Sequence, residues 1–177
     1  MAAEVAGGGA VGAPSSSPRR VVVAVDESEE SMHALSWCLS NVVSAGKAAV
    51  APPPSVVLVH ARSPRPLYYP TIDGTGERCK QVVDCMEQYM ASAADTVVTK
   101  AKTICTAFPD VRVETCVEKG DPRDVICGAA EKAGADMLVM GSHGYGFLQW
   151  ALMGSVSNHC VQNCKCPVVV VKRPDSA

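Results

Sequence analysis

The chain is expected to fold as an α/β protein, a five-stranded parallel sheet sandwiched between two helical layers. Three observations carry that expectation. Short continuous apolar runs, rich in valine, recur along the chain. Segments with helical spacing of apolar residues separate them. Aromatics are only 5% of the residues while hydrophobic residues are 47%, a balance that suits β-branched strands packed by small-residue helices. Strands that are apolar throughout are buried on both faces, and alternation with helices produces parallel pairing through right-handed crossovers.

The elements follow in order. Residues 1–18 are Ala, Gly, Ser and Pro with few apolar anchors and read as a flexible tail; the domain spans 19–173, and 174–177 form a polar tail. Gly7-Gly8-Gly9 is linker composition, because no strand precedes it. Val21 to Val25 reads as the first buried strand. Asp26-Glu27-Ser28 is a turn with helix-cap chemistry, and Glu29 to about Ser44 carries Met32, Leu35, Leu39 and Val42-Val43 at helical spacing. Val56 to Ala61 is the second strand. Arg62 to about Gly76, with its prolines, tyrosines and glycines, reads as a long surface loop. A long helix fits 78–107, with Val82, Met86, Met90, Val97 and Ile104 near one face. Val111 to Val117 is the third strand. Asp121 caps a helix that Pro122 opens and Gly134 ends. Met137 to Met140, a helix over Gly154 to Asn163, and a strand over Pro167 to Val171 complete the alternation.

Composition excludes several functions. The net charge of -2 leaves no electrostatic footprint for nucleic acid or an anionic membrane. No apolar run approaches the ~20 residues of a membrane helix. The nine cysteines follow no secretory signal, so free thiols in a reducing compartment are expected. A cytosolic location, with nuclear entry open to so small a chain, is the corresponding expectation. No Walker A loop, no pyrophosphatase-type Ser-Gly-Gly loop, no dinucleotide Gly-x-Gly-x-x-Gly after a strand and no nucleophile–base pair occurs.

One motif points to chemistry. Val139-Met140-Gly141-Ser142-His143-Gly144 is followed, nine residues on, by Gly154-Ser155-Val156-Ser157. A strand end, a glycine-bearing turn and a helix start present backbone N–H groups to an anion, usually a phosphate. Gly141 and Gly144 give the turn conformational freedom and let a ligand near the main chain. The N–H groups of Ser155, Val156 and Ser157 are orphan donors of a first turn, and the hydroxyls of Ser155 and Ser157 add donors. Ser155 as a plain helix cap is the bland alternative. In parallel sheets ligands sit outside the carboxyl ends of strands where strand order reverses, here the first and fourth, so Asp26 and Gly141 share the candidate site.

Met140-Gly141-Ser142-His143-Gly144 with Gly154-Ser155-Val156 resembles the nucleotide motif of the universal stress protein family. Val23-Ala24-Val25-Asp26-Glu27-Ser28 resembles that family's first strand and acidic turn, Leu58-Val59-His60-Ala61 its second strand, and Cys166-Pro167-Val168-Val169-Val170-Val171 its last. The likeness covers nearly all of 19–173, and the proline-rich insertion after the second strand is similar to plant members. The resemblance implies a doubly wound sheet in the order 3-2-1-4-5 and binding of ATP, or of ADP or AMP, with Mg or Mn. It implies that Ala24, Val25 and Ala61 lie on the adenine side and that Asp26 lies beside the nucleoside, where it reaches a metal through water. Met140, Gly141, His143 and Gly144 would line the loop, and Gly154, Ser155, Val156 and Ser157 would hold phosphates. It further implies a homodimer through the edge strand Val168 to Val171, whose flat apolar edge invites pairing.

No Lys or Arg occurs from 141 to 164, so a triphosphate would rely on backbone donors, serines and a divalent ion. The expected function is therefore an adenine-nucleotide-binding stress-response switch or dimeric partner. A slow metal-dependent ATPase and a nucleotide-free interaction module are the alternatives, the latter using the apolar Phe147 to Leu152 stretch around Trp150.

Among the remaining residues, His60 lies inside a strand and reads as a core histidine held by a backbone carbonyl. His143 reads equally as a phosphate contact and a solvent-facing loop residue. Cys160-x3-Cys164-x-Cys166 is the tight cysteine cluster; with His159 it only loosely matches zinc spacing, and redox sensitivity is the stronger reading.

Overall fold

The structure is a computed structural model that describes residues 18–44, 54–62, 76–143 and 153–174, with 76–83 described by backbone alone. The expected N-terminal tail, most of the 62–76 loop, Gly144 and the Phe147 to Leu152 stretch with Trp150 lie outside the described residues.

Five strands, β1 (Arg20–Ala24), β2 (Ser55–Arg62), β3 (Arg112–Lys119), β4 (Met137–Gly141) and β5 (Val168–Val171), form one parallel sheet in the order β3-β2-β1-β4-β5. Four helices, α1 (Glu29–Cys38), α2 (Gly76–Cys105), α3 (Pro122–Lys132) and α4 (Ser155–Asn163), cover its two faces. The doubly wound 3-2-1-4-5 expectation is met.

Alternate strand residues feed two cores. Val21, Val23, Val25, Val56, Leu58 and Val139 pack against Met32, Leu35 and Leu39 of the α1 segment and against Val97 and Ala101 of α2. Val22, Ala24, Val57, Val59, Leu138 and Met140 pack against Val125, Ile126, Ala129 and Ala130 of α3 and Cys160 of α4. A period of two with apolar residues on both phases is why the strands read as continuous apolar runs.

The helix boundaries have local causes. Ser28 caps α1 by accepting from the Ser31 N–H. The helix expected to run to Ser44 changes after Cys38 into a π-helical turn over Leu39–Val43, where the Ser44 N–H donates to the Leu39 carbonyl. Asp121 caps α3 through the Arg123 N–H, with Pro122 at the first helical position. Gly134 ends α3 at φ 58°. Its N–H donates to the Glu131 carbonyl and the Ala135 N–H to the Ala130 carbonyl, the paired bonds of a Schellman stop.

Two expectations need correction. In α2 the apolar face assigned to Met86 and Met90 is not core: these are 51% and 38% exposed, and the buried stripe runs through Ala94, Val97, Ala101 and Cys105. Among the described residues, the buried part of this 30-residue helix is its C-terminal half. The last strand begins at Val168, one residue after Pro167.

Candidate functional site

The carboxyl ends of β1 and β4 lie side by side, because Val21, Val22 and Val23 pair in register with Met137, Leu138 and Val139. α1 begins just after β1, and α4 is tied directly to the end of β4.

On the β1 side, the Val25 N–H donates to the Val59 carbonyl at 2.9 Å and carries the β1–β2 ladder one residue beyond the strand. Nδ1 of the buried His60 lies 2.9 Å from the Val25 carbonyl, so His60 is the carbonyl-held core histidine that was expected. Asp26 is half-buried. Its Oδ1 accepts from the Ser28 N–H at 3.0 Å and from the Ser28 hydroxyl. Ser28, not Asp26, is therefore the cap of α1, and Asp26 orients that cap. The buried Ser31 hydroxyl accepts from the Asp26 N–H at 3.1 Å and lies 3.0 Å from the Asp26 carbonyl, which closes the turn.

On the β4 side, the Ser142 N–H donates to the Val171 carbonyl at 3.0 Å, and Ser142 Oγ lies 3.1 Å from His143 Nδ1. Two bonds clamp α4 to this strand end. The Gly154 N–H donates to the Ser142 carbonyl at 2.8 Å, and the buried Ser157 hydroxyl donates to the Gly141 carbonyl at 2.9 Å. The Ser157 hydroxyl proton is thus spent on positioning the helix. Gly154 precedes α4 in an extended conformation and supplies no side-chain cap, and no acidic residue occupies the first turn. The N–H groups of Ser155, Val156 and Ser157 have no carbonyl four residues back within the helix.

The glycines are required by proximity. A Cβ on Gly141 would lie 3.0 Å from the Glu30 carbonyl carbon, so its absence lets β4 end against the first turn of α1. Gly134 is the one positive-φ glycine among the described residues, so the conformational freedom expected of Gly141 is not what that position uses. A Cβ on Gly154 would meet the Ser142 carbonyl oxygen at 3.3 Å.

The remaining site candidates contribute mainly backbone. The Ala24 and Met140 side chains are buried in the α3–α4 core, and Val25 points into the α1–α2 core. Ala61 is half-buried near the exit of β2, Ser155 is exposed and Val156 half-buried. Gly144 lies outside the described residues. The structure adds a residue that sequence reasoning missed. Arg62 ends β2 at this same edge of the sheet, and its Nε is buried without a hydrogen-bond partner among the described residues. Arg62 lies outside the cation-free 141–164 segment. The signal was a cation at the end of an apolar strand run.

A model of the universal stress protein family matches residues 18–172. The Arabidopsis thaliana universal stress protein PHOS34 is 32% identical over 164 residues; these cover 89% of this chain and 63% of that relative, so the chain spans somewhat less than two thirds of its length. Two solved structures share the fold. That of MJ0577 has a TM-score of 0.66 at 24% identity, covering 89% of this chain and 98% of that one; MJ0577 is a universal stress protein of Methanocaldococcus jannaschii. That of At3g01520 from Arabidopsis thaliana, described with AMP bound, has a TM-score of 0.58 at 22% identity, covering 89% and 94%. With the sheet order, the glycine–serine junction and the matched span in agreement, the chain belongs to the universal stress protein family.

Proposed function

We propose that this chain binds an adenine nucleotide across the carboxyl ends of β1 and β4 and acts in stress response as a nucleotide-dependent switch or dimeric partner. The observation that carries this reading is the start of α4. It is held to β4 by two hydrogen bonds and, among the described residues, carries no side-chain cap and no acidic residue, so its backbone donors and positive dipole end suit an anion. The AMP in the At3g01520 structure supports the ligand class.

The donor set fits a nucleotide from end to end. Phosphate oxygens only accept, and the α4 side offers N–H donors. Ribose hydroxyls donate, and the β1 side offers the Asp26 carboxylate and strand-end carbonyls. With no Lys or Arg between 141 and 164, phosphate charge is balanced by the α4 dipole, by Arg62 from β2 and by a divalent ion, Mg or Mn, that accompanies the nucleotide. Oδ1 of Asp26 already accepts two hydrogen bonds, and its carboxylate would add negative charge toward such an ion when one is bound.

The direct test is mass spectrometry of small molecules released on denaturation, followed by calorimetry of the emptied protein with ATP, ADP and AMP at physiological magnesium. Binding of at least one, abolished by Gly154→Val, is expected. No heat with any of the three overturns the reading. The dimer part rests on β5, whose four valines form a partly exposed edge. Sedimentation with and without nucleotide should show a dimer, and a monomer in both conditions removes that part.

A further inference from the structure

At the far end of α4 from the nucleotide motif, three thiols converge from separate segments. Cys127 comes from α3, Cys160 from α4, and Cys164 from the residue just past α4. The Cys127 Sγ lies 3.8 Å from that of Cys160 and 3.0 Å from that of Cys164, and the three sulfurs lie within 4.8 Å of one another. Cys160 is buried; Cys127 and Cys164 are half-buried. Residues four apart share one face of a helix, which brings Cys160 and Cys164 together, and the packing of α3 on α4 adds Cys127. The short-range pattern had pointed to Cys166 and His159 as third partners, but the third sulfur comes from 33 residues before Cys160.

We propose that Cys127, Cys160 and Cys164 form a binding site for one soft, thiophilic monovalent cation of the Cu(I) class. The ligand set selects it. All three donors are sulfur, and no histidine nitrogen or carboxylate oxygen joins the group among the described residues. Soft thiolates favour Cu(I), whereas a structural zinc site requires a fourth ligand.

The dimensions agree. Metal–sulfur bonds of about 2.3 Å in a trigonal plane place sulfurs about 4 Å apart. The Cys127–Cys160 separation already matches, and Cys164 needs to withdraw by about 1 Å, within the reach of side-chain rotation. The two half-buried thiols give the ion a way in. Burial pushes the Cys160 thiol up to about 12 and raises that of Cys164 too, with Cys127 adding to both, so these groups stay protonated until a cation replaces the protons. Loading forms three metal–sulfur bonds, releases three protons to solvent and transfers no electrons.

The test uses the full-length reduced protein with Cys79 and Cys85 of α2 changed to serine, titrated anaerobically with Cu(I) against a chromophoric Cu(I) chelator. One equivalent per chain should be retained, with three sulfurs around the metal by X-ray absorption. Cys127→Ser and Cys164→Ser should each lower retention at least tenfold, while Cys116→Ser on β3 leaves it unchanged. Thermal unfolding of each variant separates a lost site from a lost fold, and Cys164→Ala provides a second route should a serine disturb packing. Equal retention in the Cys127 and Cys164 variants overturns the proposal. So does a parent protein that yields its first equivalent to the chelator, including the case in which mild peroxide links Cys127 to Cys164 and identifies them as a redox pair.

Discussion

The helices α1 and α4 begin at the same edge of the sheet, beside adjacent strands, yet their first turns are finished in opposite ways. α1 is closed from within. Ser28 caps it, Asp26 holds Ser28, and Glu29 and Glu30 place negative charge against the positive dipole end. α3 is built similarly, with Asp121 as cap and Asp124 in the first turn. α4 has Gly154 where the others have an acceptor side chain, and no acidic residue. Capping is worth about 1 kcal/mol and a well-placed first-turn charge some tenths more. α4 forgoes both and is anchored instead by the Ser157 hydroxyl on the Gly141 carbonyl and the Gly154 N–H on the Ser142 carbonyl just past β4. A helix start left uncapped but tightly held is suited to an external anion, whereas a capped one is suited to stability.

The comparison can be broken or sharpened by substitution. The largest effect is expected from Gly141→Val, which forces side-chain atoms into the Glu30 backbone where β4 ends against the first turn of α1. Overpacking of this kind costs about 3 kcal/mol, and chemical denaturation should show it together with loss of nucleotide binding. Gly154→Asp would finish α4 as α1 is finished. Its carboxylate would take one or two first-turn donors and repel phosphate, lowering nucleotide affinity by about a hundredfold, while the tight contact of its Cβ with the Ser142 carbonyl offsets the gain of a cap and keeps the thermal midpoint from rising. Calorimetry and calorimetric melting together check this pair of outcomes.

Ser157→Ala removes the bond to the buried Gly141 carbonyl and should destabilise by about 1–2 kcal/mol. It should also weaken binding, because α4 is then less firmly placed. Ser28→Ala should cost about 1 kcal/mol of stability through loss of the α1 cap. Smallest is the acid response of Glu29. Its hydrogen bond and ion pair with Lys100, at 2.7 Å, hold its carboxyl below the ordinary 4.5. The stabilisation is present above that value and fades as pH falls through the lower folded value. A scan of thermal midpoint from pH 6 to 3 should show a slight extra loss in the parent that Glu29→Gln removes.

Much of this was legible because local chemistry and tertiary context agree. The strand runs, the Asp121-Pro122 start, the Gly134 stop and the His60 carbonyl contact follow from side-chain type and spacing. Other features were not legible because they depend on what lies opposite. The periodicity of α2 placed Met86 and Met90 on one face with Val97, but in the fold Met86 and Met90 are exposed while Val97 is buried. Gly141 was read as a conformational device, and the structure shows a residue kept small by Glu30 from another element. The Ser157 hydroxyl pointed to phosphate in the sequence and turns to a strand carbonyl in the fold.

The sequence by itself determined the α/β class, the positions of the apolar strands, most helix boundaries and the position of the glycine–serine junction, all of which depend on backbone propensity and nearest-neighbour periodicity. The tertiary structure alone decided which helix start stays uncapped beside which strand end, that Arg62 arrives at that same edge of the sheet, and that Cys127 joins Cys160 and Cys164. Those juxtapositions arise from parallel crossovers that bring together residues far apart in the chain, and no local pattern encodes the distance between them.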